Sequence, residues 1–275
     1  METAHTYKQI IIIPDVHGRE FWKQIVEKYK NSKDTLIVFL GDYLDPYTSI
    51  DGISEAESII NFNNIINEAL SADNIITLLG NHDLHYFPQF LHSSHGCRRI
   101  EAAKYELSDM YRTYSDLFKV AYETRINGRK YLFTHAGVLP GWLKWIATLD
   151  EENDETWCEE HKEDIEFYRS ITADAESLNR LTSCKAGIDA LSIVSYERNG
   201  YAPFGSCMWA DVREHFMAER VVDEDGNPIY QIFGHTFGLP TLDEPYIMND
   251  FAMLDCRKAF TLDCATGKIT PYAEE

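Results

Sequence analysis

Five short segments between Asp15 and Thr236 each close a run of apolar residues with side chains that bind metals. They are Asp15-Val16-His17-Gly18, Gly41-Asp42-Tyr43-Leu44-Asp45, Gly80-Asn81-His82-Asp83, Thr134-His135-Ala136-Gly137 and Gly234-His235-Thr236. One such segment means little, because Asp-x-His and Gly-His occur in ordinary turns. Five in succession after strand-like stretches constrain the fold, since the chain must bring several strand ends to one point. A parallel sheet does this, because right-handed crossovers leave the carboxyl ends of its strands on one edge.

The first 80 residues read as βαβαβ. Gln9–Ile13 and residues 36–40 are continuous apolar runs rich in Ile, Val and Phe, as expected of strands buried on both faces, and residues 74–79 read the same way. Between them, residues 20–30 and 54–70 carry apolar side chains at helical spacing, for example Ile59, Ile60, Phe62, Ile65, Ile66 and Leu70. A helix over residues 99–118 follows, then a hairpin of residues 120–126 and 130–133 around Asn127-Gly128. From residue 140 to about 220 the pattern turns helical and charged, with ten acids and one Lys in residues 150–166, which we read as a helical cap insertion. Residues 229–233 resume the strand pattern, and residues 251–255 and 259–263 with Ala265-Thr266-Gly267 suggest a closing strand and hairpin. At 275 residues the chain is expected to be a single domain, 1–275, carrying that insertion.

Composition excludes some functions. Lys and Arg number 25 against 45 Asp and Glu, a net charge of −20 that opposes nucleic acid and anionic membrane surfaces. The apolar run at residues 10–13 is far too short to cross a bilayer. Six cysteines contain no Cys-x-x-Cys pair, and the polar N-terminus leads straight into a strand, so the expectation is reduced thiols in a cytoplasmic protein.

The side chains at the five strand ends suit a pair of divalent metal ions. Carboxylate and amide oxygens favour hard cations such as Mn²⁺, and imidazoles widen the choice to Fe or Zn. One ion can take Asp15 and His17, whose spacing lets both reach one point if the chain bends after the strand. The other can take Asn81, His135 and His235, with Asp42 bridging the two. A shared carboxylate offsets the repulsion between dications about 3.5–4 Å apart.

Taken in order, the five motifs resemble the calcineurin-like metallophosphoesterases, and most of all the phosphoprotein phosphatase branch and its bacterial relatives, which include diadenosine tetraphosphate hydrolases. The resemblance covers about residues 8 to 240. It implies an α/β fold built as a four-layer αββα sandwich, instead of the single open sheet suggested by periodicity, with the cap inserted. It also implies Asp15, His17, Asp42, Asn81, His135 and His235 as metal ligands, His82 as general acid with Asp45 holding its ring, and a hydroxide activated by the two metals. The family's second motif continues Asp-Arg-Gly, where the Arg clamps substrate phosphate. Here Asp45 is followed by Pro46 and Tyr47. Such a charge-assisted contact is worth roughly 1.5–3 kcal/mol, so another cation is expected in its place. The candidates are Arg19, Arg98, Arg99 and Arg213, the last following Trp209-Ala210-Asp211, a stretch similar to the family's Trp-Ser-Asp.

Other polar and aromatic residues have plainer explanations. His85, His92 and His95 lie in a polar stretch and are expected to face solvent or gate substrate. Trp142, Trp145 and Trp157 should pack helices of the cap. The leading functional expectation is a metal-dependent phosphatase acting on a phosphorylated protein or small-molecule monoester. Hydrolysis of a dinucleoside polyphosphate is the rival, and a non-catalytic metal-binding scaffold is the alternative of a different kind. Retention of both His82 and Asp45 weighs against the scaffold, because neither is needed to hold metal.

Overall fold

The computed structural model describes residues 7–88, 98–149, 153, 155–236 and 244–273. The βαβαβ start is present as β1 (Gln9–Ile13), α1 (Lys23–Tyr29), β2 (Thr35–Phe39), α2 (Thr48–Asp51), α3 (Glu55–Ser71) and β3 (Ile75–Leu78). After it come α4 (Asn81–Leu84), α5 (Lys104–Thr113), β4 (Phe118–Lys119), β5 (Tyr122–Ile126) and β6 (Arg129–Phe133). The segment that follows is helical, with α6 (Pro140–Ala147), α7 (Glu155–Glu160), α8 (Lys162–Arg169), α9 (Ala175–Asn179), α10 (Lys185–Leu191) and α11 (Val212–Met217). The chain closes through β7 (Tyr230–Phe233), β8 (Tyr246–Ile247), β9 (Phe251–Met253), β10 (Phe260–Asp263) and β11 (Ile269–Pro271).

Local chemistry sets several of these boundaries. Ser54 caps α3 by accepting from Glu57 N at 3.2 Å while Glu57 Oε2 accepts from Ser54 N at 2.8 Å, a reciprocal capping box. The β5–β6 hairpin turns on Asn127 and Gly128 at φ of 50° and 80°, the left-handed pair a tight hairpin needs. The helix expected over residues 99–118 is shorter, with 3₁₀ turns at Glu101–Ala103 and Ser115–Leu117 on either side of α5. Its far end is taken by the sheet, where Phe118 pairs with Thr77 and Thr77 Oγ1 donates to Leu117 O at 2.7 Å.

Among the described residues, the strands form two sheets, one of six strands in the order β11-β10-β1-β2-β3-β4 and one of five in the order β5-β6-β7-β9-β8. Periodicity alone suggested one open sheet, and the reason for two lies in β1. Ile10 and Ile12 point one way, into a core shared with Leu36, Val38, Phe260 and Leu262 and with Tyr131, Phe133, Tyr230 and Ile232 of the second sheet. Ile11 and Ile13 point the other way, onto Trp22, Ile25, Val26, Phe62, Ile65 and Ile66 of the covering helices. The outer face of the second sheet meets helices in turn, with Phe233, Phe251 and Met253 against Val212 of α11. The result is the four-layer αββα sandwich. β1, β2 and β3 run parallel in one sheet and β6, β7 and β9 in the other, so the site-bearing loops gather at one edge.

Trp142 is fully buried and Trp145 packs against the same core, as expected of cap aromatics, while Trp157 stacks on His161 at 4.2 Å. Among the described residues, Cys184, Cys207 and Cys264 are free thiols. Among the described residues no helix is long and apolar enough to cross a membrane.

If the core between the sheets carries the fold, Ile12→Ala should cost about 2–5 kcal/mol of unfolding free energy. Ile60→Ala, at a residue 63% exposed on α3, should stay within about 0.5 kcal/mol of wild type. Denaturant midpoints compare the two, and equal losses would contradict this placement of the core.

Candidate metal centre

Each predicted ligand sits just beyond a strand end: Asp15 and His17 after β1, Asp42 after β2, Asn81 after β3, His135 after β6 and His235 after β7. All six are buried. To turn side chains inward so soon after a strand, the backbone enters the left-handed region at His17 (φ 45°), Asp42 (53°), Asp45 (58°) and His235 (71°). For residues other than glycine this conformation costs of order 1–3 kcal/mol each, and it persists only where the surroundings impose it.

Hydrogen bonds between the loops impose it here. The buried Asp83 carboxylate accepts from the backbone N–H of Gly80 (2.7 Å), Asp42 (2.8 Å) and Tyr43 (3.1 Å), and from the Tyr111 hydroxyl (2.7 Å). It thus ties the β2 and β3 loops together. His17 N donates to Asp42 O at 2.7 Å, and His235 N donates to Asp15 Oδ1 at 3.0 Å, linking the two sheets. Glycine permits the close approach at two places. A Cβ on Gly80 would lie 2.1 Å from Asp42 Oδ1, and one on Gly234 would lie 2.2 Å from Asp15 Oδ1.

The inward side chains converge. Asn81 Oδ1 lies 2.8 Å from His135 Nε2 and 2.9 Å from His235 Nδ1, and those two nitrogens are 3.1 Å apart. Ligands about 2.0–2.2 Å from one cation lie about 3 Å from each other, so this triangle has the dimensions of one face of a coordination shell. Asp42 Oδ2 stands between the two halves, 3.5 Å from His17 Nε2 and 3.6 Å from His135 Nε2. Donor atoms of Asp15, Asp42 and His135 fall within 4.8 Å of one another, as do those of His17, Asp42 and His82. Two of the imidazoles, His17 and His135, are turned correctly. His17 Nδ1 is 2.9 Å from Leu44 O and His135 Nδ1 is 2.8 Å from Leu40 O, and because a carbonyl only accepts, each Nε2 presents a lone pair to the site.

His82 belongs to the same cluster but differs in its partners. Its Nδ1 is 2.8 Å from Asp45 Oδ2, and its backbone N–H donates to Asp42 Oδ1 at 2.9 Å. The other oxygen of Asp45 accepts from the Tyr86 hydroxyl, which in turn accepts from Ile100 N at 2.7 Å. Purely by donor grouping His82 is a possible ligand, yet its carboxylate partner marks it as the ring equipped to carry a proton.

Charge in the pocket is poised for cations. Burial lowers His17 and His235 well below the usual imidazole range, with His82 and Arg19 adding for the first and Arg198 and His135 for the second, so both are neutral, as ligands must be. Burial also opposes protonation of His82, but the carboxylates of Asp42 and Asp45 outweigh it and raise the ring above its ordinary value. Burial pushes Asp42 well above the carboxylate range, and the charges of Asp15 and Asp83 add to this against the opposing pull of His82. Asp255, missed in the sequence, is a further buried carboxylate, raised well above its ordinary value by burial and then by Asp15. Its Oδ1 has no hydrogen-bond partner among the described residues. A pocket that crowds carboxylates and leaves a buried oxygen unmatched suits a pair of divalent cations. It could have been found by the rule that found the others, since Asp255 also closes an apolar run.

The four arginines named from sequence differ in what they reach. Arg19 is held behind the first motif, with Nη1 3.1 Å from Asp51 and Nη2 donating to Asp15 O at 2.8 Å. Arg99 pairs with Glu101, and Arg213 with Asp211 at 2.9 Å and Glu197 at 3.2 Å. Arg98 lies at the site, its guanidinium 3.7 Å above the Tyr47 ring and Nη2 donating to Asp45 O at 3.1 Å. The structure adds Arg198, whose Nη2 is 2.8 Å from His235 Nε2. No sequence signal marked it, because it falls in a short 3₁₀ turn, Tyr196–Arg198, within the helical segment. Of the two expectations for His85, that it faces solvent or gates substrate, burial overturns the first. Its ring is buried between His82 and Trp209, at 6.0 and 6.4 Å, because α4 turns it back into the site. His92 and His95 lie outside the described residues.

Comparisons with known proteins agree with this geometry at the level of the family. A signature described as calcineurin-like phosphoesterase matches residues 8–237. No curated protein matches the sequence. Similar solved structures include a candidate diadenosine tetraphosphatase, at 14% identity over 99% of this chain and 95% of that one with a TM-score of 0.46. A protein serine/threonine phosphatase from Saccharomyces cerevisiae is similar at 11% identity over 100% and 82%, with a TM-score of 0.46. An archaeal phosphodiesterase is similar at 11% identity over 96% and 98%, with a TM-score of 0.38.

An Asp42→Asn variant should lose bound metal, because an amide cannot supply the charge shared between two dications. Elemental analysis of the purified protein should fall from about two equivalents to one or fewer. Two equivalents retained would show that Asp42 is not the bridge.

Proposed function

The chain belongs to the calcineurin-like phosphoesterases, and from that premise we propose that it is a metal-dependent phosphatase cleaving phosphomonoesters. The substrate would be a phosphorylated protein or a small phosphorylated metabolite. The observation that supports this most is the His82–Asp45 pair, at 2.8 Å, set beside the cluster of donor atoms. A scaffold would have no use for a carboxylate-held imidazole next to its metals. In this reading Asp15 and His17 hold one cation, Asn81, His135 and His235 the other, and Asp42 both.

When bound, the two cations supply Lewis-acid charge that screens the phosphoryl group and makes water a stronger nucleophile at neutral pH. The chain's own residues do the rest. Asp45 Oδ2 holds the proton on His82 Nδ1, fixing the ring with Nε2–H toward the leaving group. As the bond between phosphorus and the leaving oxygen breaks, Nε2 gives its proton to the departing alkoxide, and the ring recovers a proton from water. Tyr86 holds the second oxygen of Asp45 and so fixes the pair's orientation.

Residues 140 to about 220 form the cap in this reading, because Arg198 and Trp209 come from that segment and meet His235. Mn²⁺ is the proposed metal, on the mixture of carboxylate, amide and imidazole donors. The cytoplasm is the proposed compartment, on the free thiols.

Turnover of the metal-reconstituted protein against phosphomonoesters, phosphopeptides, phosphodiesters and dinucleoside polyphosphates tests the reading. Fastest hydrolysis of a polyphosphate anhydride would replace it, and inactivity on all four would favour a scaffold. His82→Ala should keep its metal and lose roughly 10²–10⁴-fold in kcat on alkyl phosphates. The loss should be much smaller on an aryl phosphate whose leaving group departs without a proton. Equal losses on both would remove His82 from the acid's role.

A further inference from the structure

Resting on the phosphatase reading above, we propose that Arg98 and Arg198 together grip the terminal phosphoryl group from two flanks and so select dianionic monoesters over monoanionic diesters. Neither residue lies in the five motifs. The position where the resemblance calls for a phosphate-clamping Arg holds Pro46, so the cation must come from elsewhere in the fold.

Arg98 arrives at the flank of His17 and His82. Its guanidinium lies 3.7 Å above the Tyr47 ring, Tyr47 meets the edge of His17 at 5.0 Å, and His17 meets His82 at 5.1 Å. Stacking occupies a face of the guanidinium and leaves the edge of the fork, where the N–H groups are, to bind an anion. Among the described residues no carboxylate side chain forms an ion pair with Arg98, which is held by the backbone oxygen of Asp45 and by the Tyr47 side chain.

Arg198 arrives at the flank of His235. Its Nη2 is 2.8 Å from His235 Nε2, and Asp211 Oδ2 stands 3.5 Å from Nη1. Asp211 is itself held by Arg213, whose Nε donates to it at 2.9 Å, so Asp211 is shared and neutralises Arg198 only in part. Arg19, by contrast, is engaged by Asp51 at 3.1 Å and is turned to the back of the first motif.

Two guanidinium forks, one on the His17 and His82 side and one on the His235 side, suit a terminal phosphoryl group, which has three free oxygens and carries two negative charges. A diester has only two free oxygens and one charge. The ester oxygen and its carbon substituent on one side would then keep the group from seating between the two forks, so both charge-assisted contacts are lost. Each such contact corresponds to roughly one to two decades in binding or rate.

The test uses the full chain loaded with Mn²⁺, comparing wild type with Arg98→Ala, Arg198→Ala and the conservative Arg98→Lys and Arg198→Lys. Three quantities are read: metal content, affinity for inorganic phosphate by calorimetry, and kcat/KM for p-nitrophenyl phosphate and bis-p-nitrophenyl phosphate. Each alanine variant should keep its metal, bind phosphate roughly 10–100-fold more weakly and lose monoester kcat/KM by a similar factor. Diester kcat/KM should change by less than about threefold, so the monoester preference falls at least tenfold. The lysine variants, which keep charge without the fork, should fall between wild type and alanine. Equal losses on both esters, unchanged phosphate affinity, or loss of metal in Arg198→Ala would each overturn the assignment for the residue concerned. If an alanine variant does not fold, the lysine variant decides by the same criteria. Wild type inactive on both esters would sink the phosphatase reading, and phosphate affinity would then still decide the role of the arginines.

Discussion

The Asp83 carboxylate holds the centre together. Its two oxygens take four donors, three from the backbone of the β2 and β3 loops and one from Tyr111. Without them, Asp42 would relax from its left-handed backbone conformation, and the carboxylate between the two halves of the site would swing away. Burial raises Asp83 above the ordinary carboxylate range, and the four donors act against that rise. The arrangement keeps a charge-bearing group in the core because it is nearly saturated with hydrogen bonds. Tyr111 stacks with Phe62 and Tyr86, so the aromatic layer under the first sheet is mechanically continuous with the site.

Above that layer, the two sheets bring their strand ends to one edge, and the strain of four left-handed residues is borne by links between loops that are distant in sequence. His235 N on Asp15 Oδ1 spans 220 positions. Such links make the ligands cooperative. A change in one loop alters the backbone on which another ligand sits, and the site is expected to assemble as a unit with the sandwich. Electrostatics complete it. The chain carries −20, yet Arg98 and Arg198 set positive charge beside the donor cluster, and in the proposed reading these local contacts draw an anion in against the field of the whole molecule.

The strand ends were legible in the sequence because each lies in a continuous apolar run that closes on a polar side chain, and continuity along the chain is what a periodicity rule reads. The residues 9–13 run and its partners fall where expected to within a residue or so. The division into two sheets was not legible from periodicity, because the four consecutive isoleucines bury both faces and look the same whether covered by helices or by a second sheet; the family resemblance supplied it. Asp83 was visible in its motif but its work was not, since its partners are backbone groups brought near only by folding. Arg198 and the burial of His85 were hidden for a related reason. One sits in a single turn with no period to read, and the other is turned inward by a short helix that follows a glycine-tight loop.

Anomalous diffraction from crystals of the full chain grown with Mn²⁺ tests the central claim most directly. Two peaks about 3.5–4 Å apart are expected, one between Asp15 and His17 and the other among Asn81, His135 and His235, with Asp42 touching both and His82 touching neither. A single peak, or a pair in which His82 takes the place of Asp42 or Asn81, would contradict the two-metal centre described for these strand ends.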